Sequence, residues 1–214
     1  GLGVALSALI LCSPVMAYAQ NDAVLPSGLS ASEAQTVLED IINSEMQITV
    51  TGGTVRLYVG GEMVYSGNYG HADVENSIIV DENTVFEWGT ASHLLIWVTV
   101  LQLAEDGMID LDTDITNYLP EGDLKEEFDG KGVTLMHLMN YSSGYHDSFS
   151  EKIVPQGSAY ASLEETLINN MPKQTYAAGN VVALSDWSAA LAAYIVEYVS
   201  GVSYADYVKE NIFT

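Results

Sequence analysis

Basic residues are scarce in this chain: Lys and Arg together number 6 against 29 Asp and Glu, a formal net charge of -23 over 214 residues. A surface of that sign repels phosphate backbones and anionic lipid headgroups, which excludes nucleic-acid binding. Solvation of an acidic surface is the plain reading of the excess. Cysteine is almost missing as well, because Cys12 is the only one and lies in an apolar N-terminal stretch. The remainder of the chain therefore has no disulfide and no thiol nucleophile. Long apolar runs are lacking too: none reaches the ~20 residues that cross a bilayer, so no membrane span is expected in this segment.

What the sequence does have is 48% hydrophobic residues, ample for a core of one domain or one to two small ones. At the N-terminus, the largely apolar run from Leu2 to Leu11 is followed by Ser13-Pro14 and then Ala17-Tyr18-Ala19 ahead of Gln20. That order reads as the apolar region and small-residue cleavage site of an export signal. The first residue is Gly1 and no basic segment precedes the run, so the start of the signal is expected to be incomplete. Ile10-Leu11 precede Cys12, against the small residues that lipoprotein signals favour there. The expected division is a signal over 1–19, a linker over 20–28, and a domain over 29–214 that lacks its C-terminal part. The product is expected to be exported, extracellular or associated with a bacterial-type envelope.

Ser30 and Glu33 have capping-box spacing ahead of Ala34, Val37, Leu38, Ile41 and Ile42, which predicts an amphipathic helix. Gln47 to Val50, Thr54 to Val59 and Glu62 to Tyr65 are β-prone, and Gly60-Gly61 between the last two predicts a hairpin. Helices are predicted from about Thr90 to Glu105 with Gly107 as stop, over Thr134 to Asn140, and from Ser185 to Ser200 with Gly201 as stop. A short one follows Ser203 and Asp206 toward Phe213. A helix, antiparallel strands and then many helices make an α+β chain.

The segments Gly61 to Asp73, Val80 to Gly89, Leu101 to Pro120, Leu135 to Gly144 and Ala189 to Phe213, in that order, resemble the β-lactamase-like, penicillin-binding serine hydrolases. That family includes class C β-lactamases, D-alanyl-D-alanine carboxypeptidases and related esterases. The resemblance implies an antiparallel sheet flanked by helices, a mostly helical second subdomain, and an active site between them. It also implies a Ser-x-x-Lys pair opening the helix after the first strands. Residues three apart share a helical face, so a lysine amine there can take the serine proton. A Tyr-x-Asn motif completes the base and substrate contacts, and a later Lys-Thr-Gly or His-x-Gly strand helps form the oxyanion site.

In this chain Thr90 stands at the serine position and His93 at the lysine position of Phe86-Glu87-Trp88-Gly89-Thr90-Ala91-Ser92-His93. Leu184-Ser185-Asp186 stands at Tyr-x-Asn, and leucine can neither accept nor donate a proton. Tyr141-Ser142-Ser143-Gly144 matches a His-Thr-Ser-Gly segment that is structural in the family, and the sequence ends at Thr214 before a third motif. Thr90 and His93 are thus the candidate catalytic positions, and Asp186 and Tyr141 the candidate substrate-binding positions. With three members of a cooperating set replaced, the expected function is a catalytically degenerate serine hydrolase-like domain. One alternative is a weak acyl hydrolase in which His93 deprotonates Thr90 to attack an ester, a β-lactam or a D-alanyl peptide. Another is a module that binds cell-wall peptide without cutting it.

Thr90 is otherwise a helix N-terminal residue whose hydroxyl caps the backbone. Ser92 is a poor nucleophile for His93, since adjacent helical residues point about 100° apart. His71, His137 and His146 lack the spacing of a metal site. Asp110, Asp112 and Asp114 alternate as in a calcium loop, but Ile115 replaces the turn glycine. No metal and no cofactor is expected, and the partner is a cell-wall peptide or small acyl substrate.

Overall fold

The computed structural model describes residues 18–19, 24–46, 50–122, 132–147 and 161–213. Residues 1–17 of the expected signal over 1–19, Cys12 among them, lie outside the described residues, as do Gln47 to Thr49 of the first predicted strand; Tyr18–Ala19, at the end of that expected signal, are described as a strand. The chain forms two compact units, Gly1–Glu87 and Trp88–Thr214.

The first unit joins a helix to a small antiparallel sheet. Helix α1 (Ala31–Met46) starts at the expected capping box: Glu33 N–H donates to Ser30 Oγ at 3.3 Å and Ser30 N–H to Glu33 Oε2 at 2.8 Å. Ser30 N–H, and with it the Ser30 hydroxyl, donates to the Glu33 carboxylate and holds it below its ordinary pKa. The buried stripe of α1 runs through Ala31 and Ala34, whereas Val37 and Ile41, expected on the same face, are exposed. Strands β1 (Tyr18–Ala19), β2 (Gly52–Val59), β3 (Glu62–Asp73) and β4 (Ile78–Ile79) make a 4-stranded sheet in which β3 pairs with all the others. Tyr18 and Ala19 pair with Ser66 and Tyr65.

The β2–β3 hairpin turns at Gly60-Gly61, both with positive φ (59° and 87°), the requirement of a tight two-residue connection. Strand β3 is much longer than the Glu62 to Tyr65 segment that composition suggested. It continues through Gly67, where an added Cβ would lie 2.5 Å from the Tyr69 hydroxyl and 2.6 Å from that of Tyr65. Period-2 alternation puts Tyr65, Gly67 and Tyr69 on one face, and the two buried tyrosines hydrogen-bond across the glycine.

The second unit is helical: α2 (His93–Glu105), α3 (Leu135–Met139), α4 (Leu163–Asn169), α5 (Asp186–Ser200) and α6 (Tyr204–Asn211). Helix α5 is the centre, packing against each of the other four. Ala189, Leu191, Ala192, Ala193, Ile195 and Val196 are almost wholly buried there, with Val100, Ile115, Leu135 and Leu138 from neighbouring segments. An α-helix apolar nearly all round has no solvated face and must sit in the middle. Its ends are set locally, by Ser185 Oγ accepting from Ser188 N–H at the start and by Gly201 at φ 75° at the end. The short helix α4 was not anticipated; Ser162 caps it by accepting from Glu165 N–H, and of its residues only Leu167 is buried. Among the described residues, no helix is long and apolar enough to cross a membrane.

Candidate functional site

The candidate residues fall in the helical unit, around the start of α2. A 3-10 turn (Gly89–Ser92) precedes α2, so the predicted single helix from Thr90 is a tight turn running into an α-helix. Thr90 is exposed and does not cap it. The flanking residues Trp88 and Ser92 both have αR dihedrals, whereas a side-chain cap needs the extended conformation that folds the oxygen back over the first N–H groups. Among the described residues the Thr90 hydroxyl makes no hydrogen bond. Leu184 is also exposed.

His93, by contrast, is buried and engaged on both sides of its ring. Its Nδ1 lies 3.0 Å from Tyr141 Oη, and its Nε2 lies 3.5 Å from Asp186 Oδ1. Trp97, one helical turn along α2, packs edge-on against both His93 (ring centroids 6.2 Å apart) and Tyr141 (6.0 Å). The fold therefore brings His93, Tyr141 and Asp186 together and leaves Thr90 out of the group. Trp97 was not singled out in the sequence, although its spacing of four from His93 places it on the same helical face.

Tyr141 reaches His93 because its backbone is left-handed, with φ 53°. A non-glycine residue in that region costs on the order of 1–3 kcal/mol and is held only by its surroundings. Here Tyr141 N–H donates to Leu138 O at 3.0 Å, and Tyr141 O accepts from Ala183 N–H at 2.8 Å. The next residues are fixed to α5 and its approach: Ser143 Oγ meets Ser188 Oγ at 2.9 Å, and the buried Gln174 donates to Ser143 O at 3.0 Å. Gly144 closes the segment with φ 81°, and a Cβ there would lie 1.8 Å from Tyr176 O. The Tyr-Ser-Ser-Gly segment thus packs as a structural unit and also presents Tyr141 to His93.

Asp186 is positioned by the start of α5. The Asp147 carboxylate accepts Asp186 N–H at 2.7 Å and Trp187 N–H at 3.4 Å. Anionic oxygens are favoured at a helix N-terminus, where unpaired N–H groups and the helix dipole both point at them. Nothing local in the sequence marks Asp147 for this role.

The remaining candidates are engaged elsewhere. His137 Nδ1 accepts Thr134 N–H at 3.1 Å and completes the capping box of α3. His146 is exposed, and His71 lies in β3 of the other unit. Asp110 accepts from Asp112 N–H, and Asp114 accepts from Thr116 N–H, so both serve as turn and cap acceptors. Glu121 occupies the twelfth position of the calcium-loop register. Even so, no group of three or more His, Cys, Asp or Glu that could hold a metal occurs among the described residues. A cavity of ≈ 450 Å³ is lined by Asp112, Asp114, Thr134, His137, Gly179 and Asn180 among others.

A fold of this kind, with this site at the start of the helix after the hairpin, is that of the serine β-lactamases and penicillin-binding proteins. A family model described as Beta-lactamase matches residues 38–214, and the chain belongs to that family. Penicillin-binding protein 4* of Bacillus subtilis (strain 168) is 26% identical over 165 residues, which are 75% of this chain and 35% of that protein. A teichoic acid D-alanine hydrolase of Staphylococcus aureus is 28% identical over 176 residues, 81% of this chain and 40% of that protein. The chain thus spans 35% to 40% of the length of these curated relatives. Among solved structures, an octameric penicillin-binding protein homologue from Pyrococcus abyssi superposes with a TM-score of 0.71 at 22% identity, covering 85% of this chain and 42% of that one. A class C β-lactamase does so with a TM-score of 0.69 at 24% identity, covering 87% and 50%. The expected family and α+β fold class are borne out.

Proposed function

We propose that this chain is an exported, envelope-associated β-lactamase-family domain that has lost the family's serine–lysine acyl-transfer chemistry. The observation that carries this reading is the engagement of His93. Its two ring nitrogens face Tyr141 and Asp186, so the group at the lysine position is not turned to a hydroxyl at the serine position. Thr90 is exposed, its added methyl crowds any attack, and Leu184 supplies no second base. A nucleophile without a base in hydrogen-bond reach gains little over water.

Export is supported by the apolar run from Leu2 to Leu11 with Ala17-Tyr18-Ala19 behind it, and by relatives named as penicillin-binding proteins. The ligand class to test is a D-alanyl ester or peptide, because one relative is named a teichoic acid D-alanine hydrolase. The deciding experiment is turnover of a chromogenic β-lactam, a nitrophenyl ester and a D-alanyl ester, with Thr90→Ala alongside. Rates equal in the two proteins support the reading, and turnover that disappears in Thr90→Ala overturns it.

A further inference from the structure

Asp186, His93 and Tyr141 form an ordered chain of three groups, in which His93 stands at the family's lysine position, Asp186 at the last position of Tyr-x-Asn, and Tyr141 outside both motifs. A carboxylate can only accept hydrogen bonds, so Asp186 beside Nε2 favours the tautomer with its proton on Nε2. That leaves the lone pair of Nδ1 facing the Tyr141 hydroxyl at 3.0 Å, with the phenol as donor. The histidine is buried, while Tyr141 is only half-buried. A base shielded from water therefore bears on the hydroxyl of a residue that keeps part of its surface exposed. Trp97 packs edge-on against both rings and restricts their planes, and the left-handed backbone of Tyr141 fixes where its phenol points.

We infer that Tyr141 is an acyl-accepting nucleophile for activated esters, with His93 as its base and Asp186 as the residue that orients His93. In the step, Tyr141 Oη attacks the ester carbonyl carbon and a new Oη–C bond forms. The phenol proton passes to His93 Nδ1, and the resulting imidazolium is stabilised by Asp186. The bond from the carbonyl carbon to the leaving aryloxide breaks, and the aryloxide takes the proton from His93 or from solvent. The products are O-acyl-Tyr141 and a free phenol. This goes beyond the loss of serine–lysine chemistry, since it concerns acylation of a different residue and no turnover through Thr90.

The test treats the whole chain with 4-nitrophenyl acetate and, separately, with benzenesulfonyl fluoride, whose tyrosine adduct resists hydrolysis, and locates labels by peptide mass spectrometry. Tyr141 is expected to be labelled at least about ten-fold faster than the exposed Tyr58, Tyr176 and Tyr198, a threshold set below the ~10²–10⁴-fold that a positioned base typically contributes. Tyr141→Phe removes the label, His93→Gln slows it by at least about ten-fold, Asp186→Asn slows it less, and Tyr198→Phe leaves it unchanged. Labelling of Tyr141 no faster than of the exposed tyrosines, or undiminished in a folded His93→Gln variant, overturns the inference. If His93→Gln does not fold by circular dichroism, the comparison among tyrosines in the unaltered chain decides. Turnover that depends on Thr90 would overturn the proposed function and leave this result standing.

Discussion

The carboxylate of Asp147 accepts the backbone N–H of Asp186 at 2.7 Å, across a sequence separation of 39. With Trp187 N–H at 3.4 Å to the same side chain and Ser188 N–H on Ser185 Oγ, the first three N–H groups of α5 are all paired. Two of those three bonds go to a residue distant in sequence, so they tie its segment to the most buried helix of the unit. It also sets the direction in which Asp186 leaves the backbone toward His93.

Asp147→Ala is expected to lower the stability of the helical unit by about 1–2 kcal/mol, the usual cost of losing a helix cap. Asp147→Asn keeps an acceptor and loses the charge, so its cost is smaller. All three tryptophans, Trp88, Trp97 and Trp187, lie in this unit. Urea unfolding followed by tryptophan fluorescence therefore reads it directly.

In the first unit, a Cβ on Gly52 would lie 2.2 Å from His71 O and 2.8 Å from Val80 Cγ2. The neighbour is backbone held in a ladder, since His71 N–H donates to Thr51 O at 2.8 Å, and it cannot step aside. Gly52→Ala is expected to cost about 1–3 kcal/mol as an overpacking change. Nothing lies within 4 Å of the corresponding position on Gly53. Gly53→Ala should then be neutral or slightly stabilising through the unfolded chain. Amide hydrogen exchange of β2 and β3 distinguishes the two, and equal effects would refute the close-approach explanation.

The features legible in the sequence are those that act over a few residues. Ser30 with Glu33, Gly60-Gly61, and Ser185 with Gly201 each announce a cap or a turn through their own chemistry, and each was found where expected. Long-range features were not legible. Strand β3 runs on past Tyr65 because Gly67, a poor strand residue by composition, is needed for Tyr65 and Tyr69 to meet. Apolar spacing places Val37 and Ile41 on the buried side of α1, but the buried contact is centred on Ala31 and Ala34. At the site, the substitutions at Thr90 and His93 were plain. Tyr141 as the partner of His93 was not, because it depends on a left-handed backbone 48 residues away.

His137 at the third helical position of α3 plays the part that Glu or Gln usually takes in a capping box, with Nδ1 accepting Thr134 N–H at 3.1 Å and Thr134 Oγ1 accepting His137 N–H at 3.2 Å. That acceptor role requires Nδ1 to be unprotonated, which puts the proton of the neutral ring on Nε2. His137→Gln should retain most of the stability, and His137→Ala should lose about 1 kcal/mol, in the range for a lost cap. The ordering of the two variants in thermal unfolding is the check. A loss as large for Gln as for Ala would mean that ring packing, rather than the hydrogen bond, holds the turn.

Alkaline pH is expected to destabilise the α5–α6 pair through Tyr204. Burial against α5 raises its phenol from the ordinary 10.0 to about 12, since the charged phenolate is poorly solvated there. Burial raises Tyr207, about one turn further along α6, in the same direction, with Asp106 adding to it. The native state therefore holds these protons more tightly than the unfolded chain does. The stabilising contribution is complete below pH about 10, where both states are protonated, and is lost as pH rises toward 12 and the unfolded state ionises first. Stability by urea titration should fall across that window and stay level just below it as far as these tyrosines are concerned. Tyr204→Phe removes the titrating group while keeping the ring, so its stability should fall less between pH about 10 and 12. A decline as steep in Tyr204→Phe as in the unaltered chain would assign the alkaline transition to other groups.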